Sequence, residues 1–275
     1  MNELSIVLDG RVLSDHFPGI GRYVVNLTRA LATATPEIDI CLLHDPSSHT
    51  HRLTLPNLPR AACPISPFTI RQQWIVPALL RRLRTEWGWS DKRIIGQFGF
   101  ITPAKGHPLV LEALAQLPDD YGLLIAGGLR READRPALDV VRQRIVRLNL
   151  ENRVRITGYL NAVDMPAHIH ACDVLIYPYT HVDSSYSVMT GLAYQTAPVI
   201  ISDVYAHREL AERRAGVELF RSGDPADLRR AVQSVLNDEQ RRTAMRRDTL
   251  RFAQEYSWQA IARKTREVYL RALHD

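Results

Sequence analysis

Lysine is nearly missing from this 275-residue chain: Lys92, Lys105 and Lys264 are the only ones, so the net charge of +5 rests on arginine. Cysteine is equally sparse. Cys41, Cys63 and Cys172 are odd in number and scattered, which argues against a disulfide framework and for a reducing, cytoplasmic setting. No apolar run approaches a membrane span, and the opening "MNELSIVLDG" reads as a strand rather than a signal peptide. Aromatic residues do not alternate with the basic ones, so the stacking platform of a nucleic-acid binder is absent. Gly127-Gly128 follows the apolar "LLIA" without the spacing of a dinucleotide fingerprint, which speaks against an NAD enzyme. His44, His49 and His51 do not have the spacing of a known metal site, and His168 and His170 read as surface or capping residues of a short helix.

What is present is ordinary for a globular protein, 45% hydrophobic and 24% charged, with room for one large domain or two modest ones. From residue 91 onward, short apolar runs alternate with helical patterns. The runs "RIIGQF", "YGLLIAGG", "VRITGYL", "VLIYPY", "PVIISD" and "GVELF" read as six strands, apolar through their middles. Such strands predict a parallel sheet covered on both faces. In "SGDPADLRRAVQSVL" Asp224 is the expected helix cap and Pro225 the first helical residue. The tail from Asp238 reads as two helices broken near "YSW", with no sustained heptad. The first ninety residues offer only two strands, "LSIVLDG" and "IDICLLHD", and two helical patterns. In the first helix Val24, Leu27 and Leu31 share the core-facing side. That is too little for an independent α/β domain with closed edges.

Five stretches, in order, resemble glycosyltransferase family 4, whose members are retaining enzymes of the two-domain GT-B fold. They are "LDGRVLSDHFPGIGRYVVNLTRAL", "GQFGFITPAKGHPLVLEAL", "VRITGYLNAVDMPAHIHACDVLIYPY", "DSSYSVMTGLAYQTAPVIISD" and "YSWQAIARKTREVYLRAL". The resemblance implies an α/β, GT-B-like protein in three parts. Residues 1–90 would be a partial, acceptor-side Rossmann-like unit, and residues 91–257 a doubly wound nucleotide-sugar domain. Residues 258–275 would be a closing helix that crosses back to the first part.

The same resemblance assigns a site. Lys105 and Gly106 would hold the donor diphosphate, joined by Gly19 and Gly21 from the first unit and by Ser184, Ser185, Tyr186 and Ser187. Lys105 and Asp183 would carry the catalytic role, with Asp183 facing the sugar. Gly127, Gly128, Tyr159 and Leu160 would line the base pocket. The physical chemistry of the residues is compatible: a lysine before a helix N-terminus adds its charge to free N–H groups that favour phosphate. The plainer readings also stand at this point. They are a surface lysine at 105, an ordinary serine cap in 184–187, and a tight turn at Gly19 and Gly21.

Three departures from the family pattern matter. Phe100 replaces an arginine the family usually carries. Counting back from Pro198, the family's paired glutamates fall at Asp183 and Gly191, and Gly191 offers a ribose no side chain. A glutamate placed there would regain that contact if the backbone admits it. Finally, "LLRRLRTEWGWSDKRIIGQF" passes directly from an early helix to the second domain, so the chain looks internally shortened and no acceptor-side residue can be assigned.

The resulting expectation is a hexosyl-type glycosyltransferase acting from a nucleotide-sugar donor on a glycan or lipid-linked acceptor, in polysaccharide biosynthesis. It needs no cofactor beyond the donor and no metal. The alternative is a non-catalytic nucleotide-sugar or glycan binding subunit. The arginine clusters read as solvated helix faces or as contacts to the anionic inner face of a membrane. The short first unit leaves room for a protein partner that completes it. A sugar-phosphate enzyme of another α/β type has only fold analogy behind it.

Overall fold

The computed structural model describes residues 4–9, 23, 25–31, 38–43, 83–160, 164–182 and 185–272. Two compact units divide the chain. One comprises Met1–Ser66 with Gln254–Asp275, and the other Pro67–Ala253.

In the first unit β1 (Leu4–Asp9) pairs in parallel with β2 (Ile38–Leu43), Leu4 opposite Ile38 and Asp9 opposite Leu43. Residues 25–31 between them are helical (α1). Leu27, Ala30 and Leu31 of α1 form a small core with Ala262, flanked by Trp258, Ile261, Tyr269 and Leu270 from the last helix of the chain. The ring of Tyr23 meets that of Trp258 edge-on, 5.5 Å between centroids. Val24 lies outside the described residues.

The second unit takes in residues 83–90, ahead of the boundary near 91 that the strand pattern suggests. Residues 83–86 are helical (α2), and Trp89 is buried. Arg84 donates to the carbonyl of Ala171 and to the carboxylate of Asp173, which also accepts from the N–H of Ile94. The six-stranded sheet consists of β3 (Arg93–Phe98), β4 (Tyr121–Ala126), β5 (Val154–Ile156), β6 (Val174–Tyr177), β7 (Val199–Ser202) and β8 (Val217–Phe220). All pairs are parallel, and the order is β5-β4-β3-β6-β7-β8. The first three strands step one way from β3 and the last three the other, so the order reverses between β3 and β6. In sheets of this kind the crevice beyond the strand ends at that reversal is where ligands sit.

Helices α3 (His107–Ala115), α4 (Arg135–Arg147), α5 (Met165–His170), α6 (Tyr186–Tyr194), α7 (Tyr205–Glu212) and α8 (Pro225–Asn237) separate or follow the strands. Strand residues Ile95, Leu123, Ile125, Val174, Ile176 and Ile200 share one buried cluster with Val110, Leu111 and Leu114 of α3, Leu138 and Val141 of α4, and Leu228, Val232 and Val235 of α8. The alternate residues face the other way. Gly96 lies against Cys172 and Leu175, and Gly191 of α6 against Tyr177 and Leu175. Both faces of the sheet are therefore covered, as its continuous apolar strands require.

Local sequence sets the ends. Asp224 caps α8, accepting from the N–H groups of Ala226 and Asp227, with Pro225 opening the helix. The tail forms α9 (Glu239–Glu255) and α10 (Trp258–Ala272), broken at Tyr256-Ser257. Arginines of the clustered sequences are largely paired on these helix surfaces, Arg213 with Glu209, Arg230 with Asp227, Arg241 with Glu218 and Arg242 with Glu239.

Candidate functional site

Strand β3 ends at Phe98, and the chain turns through Gly99 at a φ of +126°. A short 3-10 turn, Pro103–Lys105, then leads through Gly106, at φ +66°, into α3. No residue with a side chain fits at Gly106: a Cβ there would lie 2.0 Å from the carbonyl oxygen of Pro178, at the end of β6. The same closeness recurs around the strand ends. A Cβ on Gly127 would stand 1.8 Å from the oxygen of Gly99, and one on Gly99 would stand 2.9 Å from the hydroxyl of Ser187 in the first turn of α6. A Cβ on Gly128 would come 3.0 Å from the N–H nitrogen of Tyr159. The glycines thus draw the loops after β3, β4, β5 and β6 together at the reversal of strand order.

Two helices begin there. The α3 N-terminus follows Gly106, and α6 starts after Ser185, so the positive end of each helix dipole lies at these loops. In α3, Pro108 carries no N–H, and the N–H groups of Leu109 and Val110 return to the Gly106 carbonyl. Lys105 stands between these ends. Its ammonium lies over the ring of Tyr179, 3.7 Å from the centroid, and its carbonyl accepts from the side-chain amide of Gln97 at 2.7 Å. The N–H of Thr180 donates to the carbonyl of Ala104, tying the lysine turn to the β6 loop.

Beneath this surface is a polar floor. Ser202 at the end of β7 donates to the carbonyl of Tyr179 at 2.6 Å, and His207 Nδ1 lies 2.8 Å from the carbonyl of Ser202. A carbonyl only accepts, so Nδ1 carries the proton, and Nε2 is left buried without a partner. Burial, chiefly, holds the His207 pKa below its ordinary value, with the charge of Lys105 acting in the same direction. His107, at the first position of α3, is buried and its pKa is lowered to about 4 by desolvation and then by the Lys105 charge. Both imidazoles are therefore neutral at pH 7 and add no positive charge beside Lys105.

Of the residues singled out in the sequence, Lys105, Gly106, Gly127, Gly128, Tyr159, Ser185 and Ser187 belong to this one set of strand-end loops. Gly19, Gly21, Asp183 and Ser184 lie outside the described residues. Ser185 caps α6: its hydroxyl oxygen accepts from the N–H of Val188, and its proton goes to the Tyr179 oxygen at 3.3 Å. Tyr186 and Tyr159 are exposed, and Leu160 is half-buried. Gly191 departs from expectation. It is buried, and a Cβ on it would lie 2.5 Å from the Tyr177 hydroxyl and 3.1 Å from Leu175, so the backbone does not admit a glutamate there. Sequence reasoning missed Gln97, Tyr179, Ser202 and His207. No signal in the sequence marks them, since only the placement of β3 beside β6 and β7 brings them to Lys105. Among the described residues no group of three or more His, Cys, Asp or Glu side chains is placed to hold a metal ion, and no helix is long and apolar enough to cross a membrane.

Comparison with known proteins places this geometry. Residues 81–251, the second unit almost entire, match the family model of glycosyl transferases group 1. The chain belongs to that family. Among curated relatives of the chain, the 2-deoxystreptamine glucosyltransferase of Streptomyces kanamyceticus is 29% identical over 167 residues, 59% of this chain and 41% of the relative. A D-inositol 3-phosphate glycosyltransferase of Kineococcus radiotolerans is 28% identical over 204 residues, 68% of this chain and 46% of the relative. The chain thus spans less than half the length of these relatives. Among solved structures, Anabaena Alr3699/HepE in complex with UDP superimposes with a TM-score of 0.64 at 24% identity, over 70% of this chain and 52% of that one. The sucrose-phosphate synthase of Thermosynechococcus elongatus gives 0.61 at 20% identity, over 72% and 49%. These structural likenesses establish the GT-B kind of fold.

Proposed function

We propose that this group 1 glycosyl transferase binds a nucleotide-sugar donor by its diphosphate at the loops after β3 and β6, and transfers the sugar to an acceptor hydroxyl. The observation that carries this reading is the convergence of one lysine and two helix N-termini at the reversal of strand order. Transfer breaks the bond between the anomeric carbon and the phosphate oxygen, and the electron pair departs with the diphosphate. Lys105 and the positive dipole ends of α3 and α6 would receive that charge, which is stabilisation aimed at where charge develops. Asp183 would face the sugar. Tyr159 and Leu160, with Gly127 and Gly128 behind them, would receive the base.

The finer reading is a hexosyl transfer with retention of configuration to a glycan or lipid-linked acceptor, in polysaccharide biosynthesis. It places the protein in the cytoplasm, in contact with the inner face of a membrane, with a protein partner completing a shortened first unit. The activities named for the relatives support sugar transfer, and Anabaena Alr3699/HepE has been solved with UDP-glucose. The test is thermal unfolding in a panel of UDP-, GDP- and ADP-sugars, followed by assay of the stabilising donor for released nucleoside diphosphate with and without acceptors. A ligand at a hundred times its Kd stabilises by about 2.7 kcal/mol, which is readily measured. Stabilisation by one base series together with nucleotide release supports the proposal. Stabilisation with no turnover on any acceptor turns it into the binding-subunit reading, and no stabilisation by any donor removes it.

A further inference from the structure

The charge of Lys105 is useful to a phosphate only if the ammonium is held near it. A lysine carries four rotatable side-chain bonds, and an unrestrained one scatters its charge over many rotamers. In this structure both ends of Lys105 are fixed. The backbone is held by the Gln97 amide on its own carbonyl and by Thr180 N–H on the neighbouring carbonyl of Ala104. The ammonium is held by the face of Tyr179, 3.7 Å from the ring centroid, where the negative face of an aromatic ring attracts a cation.

The ring that does this cannot turn away. Tyr179 is 1% exposed. Its carbonyl accepts from Ser202 at 2.6 Å and Ser222 at 3.4 Å. Its ring packs against Tyr177 at 5.9 Å and His207 at 5.5 Å, and its hydroxyl oxygen accepts from Ser185 at 3.3 Å. Ser185 in turn caps α6. The seat of the lysine charge is thereby joined to one of the two helix ends that would share the phosphate. Neutral His207 against the ring adds no competing positive charge.

We propose that Tyr179 is the positioning residue of Lys105, its ring holding the ammonium at the reversal of strand order so that the charge is ordered before the diphosphate arrives. The inference rests on the reading of Lys105 as a diphosphate-binding group. It assigns Tyr179 no contact with donor or acceptor, only control over where the lysine charge stands.

The experiment is a titration calorimetry cycle with UDP and uridine on wild type, Tyr179→Phe, Tyr179→Leu, Lys105→Ala and the double variant Lys105→Ala/Tyr179→Leu. Phenylalanine keeps the ring face and leucine removes it. Tyr179→Phe is expected to bind UDP within about threefold of wild type, whereas Tyr179→Leu weakens UDP by about tenfold and leaves uridine unchanged. In the Lys105→Ala background the leucine substitution costs nothing further, because the charge it would misplace is gone. An equal loss of UDP and uridine, an undiminished loss in the Lys105→Ala background, or no loss from Tyr179→Leu overturns the positioning role. Wild-type protein that binds none of UDP, GDP and ADP, or Lys105→Ala that keeps full affinity for the one that binds, overturns instead the reading of the site on which the role depends, and where GDP or ADP is the one that binds, the cycle is run with it and its nucleoside. Should Tyr179→Leu fail to fold, the native protein supplies a second measurement. With only three lysines, 13C-dimethylation gives a spectrum assignable by single substitution. The Lys105 methyl resonance is expected upfield of those of Lys92 and Lys264 through the ring current, and to move when UDP is added. A Lys105 resonance at the position of a solvated lysine contradicts the seat.

Discussion

Gly106 and Gly191 are both glycines without room for a side chain, but for different reasons. Gly106 combines a left-handed φ with a carbonyl oxygen 2.0 Å from where a Cβ would stand, so both backbone strain and collision oppose substitution. Gly106→Ala is expected to destabilise the protein by about 3 kcal/mol or more and to displace Lys105, which urea unfolding and UDP titration would register together. Gly191 lies mid-helix, where the obstacle is the Tyr177 hydroxyl at 2.5 Å. Gly191→Glu must bury a carboxylate in that space, and a loss of about 3 kcal/mol or more is expected rather than a gain in ribose affinity. A variant as stable as wild type with tighter UDP binding contradicts this. His107 makes a pH prediction. In the unfolded chain it takes up a proton as the pH falls below 6.5, while in the folded protein burial delays that until about 4. The unfolded state therefore binds more protons across that window, and stability is lost as pH falls from 6.5 toward 4, on the order of 3 kcal/mol from this group. His170 and His207, whose pKa values are also lowered by burial, push in the same direction. His107→Gln should flatten the acid side of the stability profile, and an unchanged profile would assign the slope elsewhere.

At the scale of elements, Arg153 shows how a loop is pinned. Its guanidinium donates to the carbonyls of Leu114, Leu117, Pro118 and Tyr121, closing the connection between α3 and β4 just before β5. Arg153→Ala leaves those acceptors without the donor, and a loss of about 2–3 kcal/mol in chemical denaturation is expected. A change under about 0.5 kcal/mol would mean that water replaces it. The six strands of the second unit were legible in the sequence because each is a short apolar run bounded by turn residues, as with "VLIYPY" before β6 ends at Tyr177. The cap at Asp224 was legible because its two signals, an acidic cap and a following proline, are adjacent. Lys105 was legible for the same reason, as a lysine and glycine directly before a helix. Its partner was not. Tyr179 is 74 positions away, and only the placement of β3 beside β6 brings the two together. Nor could the sequence show that the Ser185 hydroxyl reaches Tyr179, or that Gly191 faces the sheet. Those depend on the rotation of α6 about its axis, which a nine-residue helix of mixed pattern leaves open.

At the scale of the molecule, the two compact units carry separate tests. In the first, Trp258 packs beside Leu27, Leu31 and Ala262 and meets Tyr23 edge-on. Trp258→Ala should lower the amide-exchange protection of residues 25–31 by about 2 kcal/mol, less than for a wholly buried tryptophan, and undiminished protection would show that this cluster does not hold α1. In the second, the central claim is that the strand-end loops around Lys105 bind a nucleoside diphosphate through its phosphates. Titration calorimetry of UDP, GDP and ADP into wild type and Lys105→Ala, with circular dichroism to confirm the fold, tests it most directly. At least one diphosphate should bind wild type, and the substitution should weaken it by about 1.5–3 kcal/mol, roughly 10- to 150-fold, the range for a hydrogen bond to a charged group. Equal affinity in the two folded proteins would contradict the assignment of the phosphate site to Lys105.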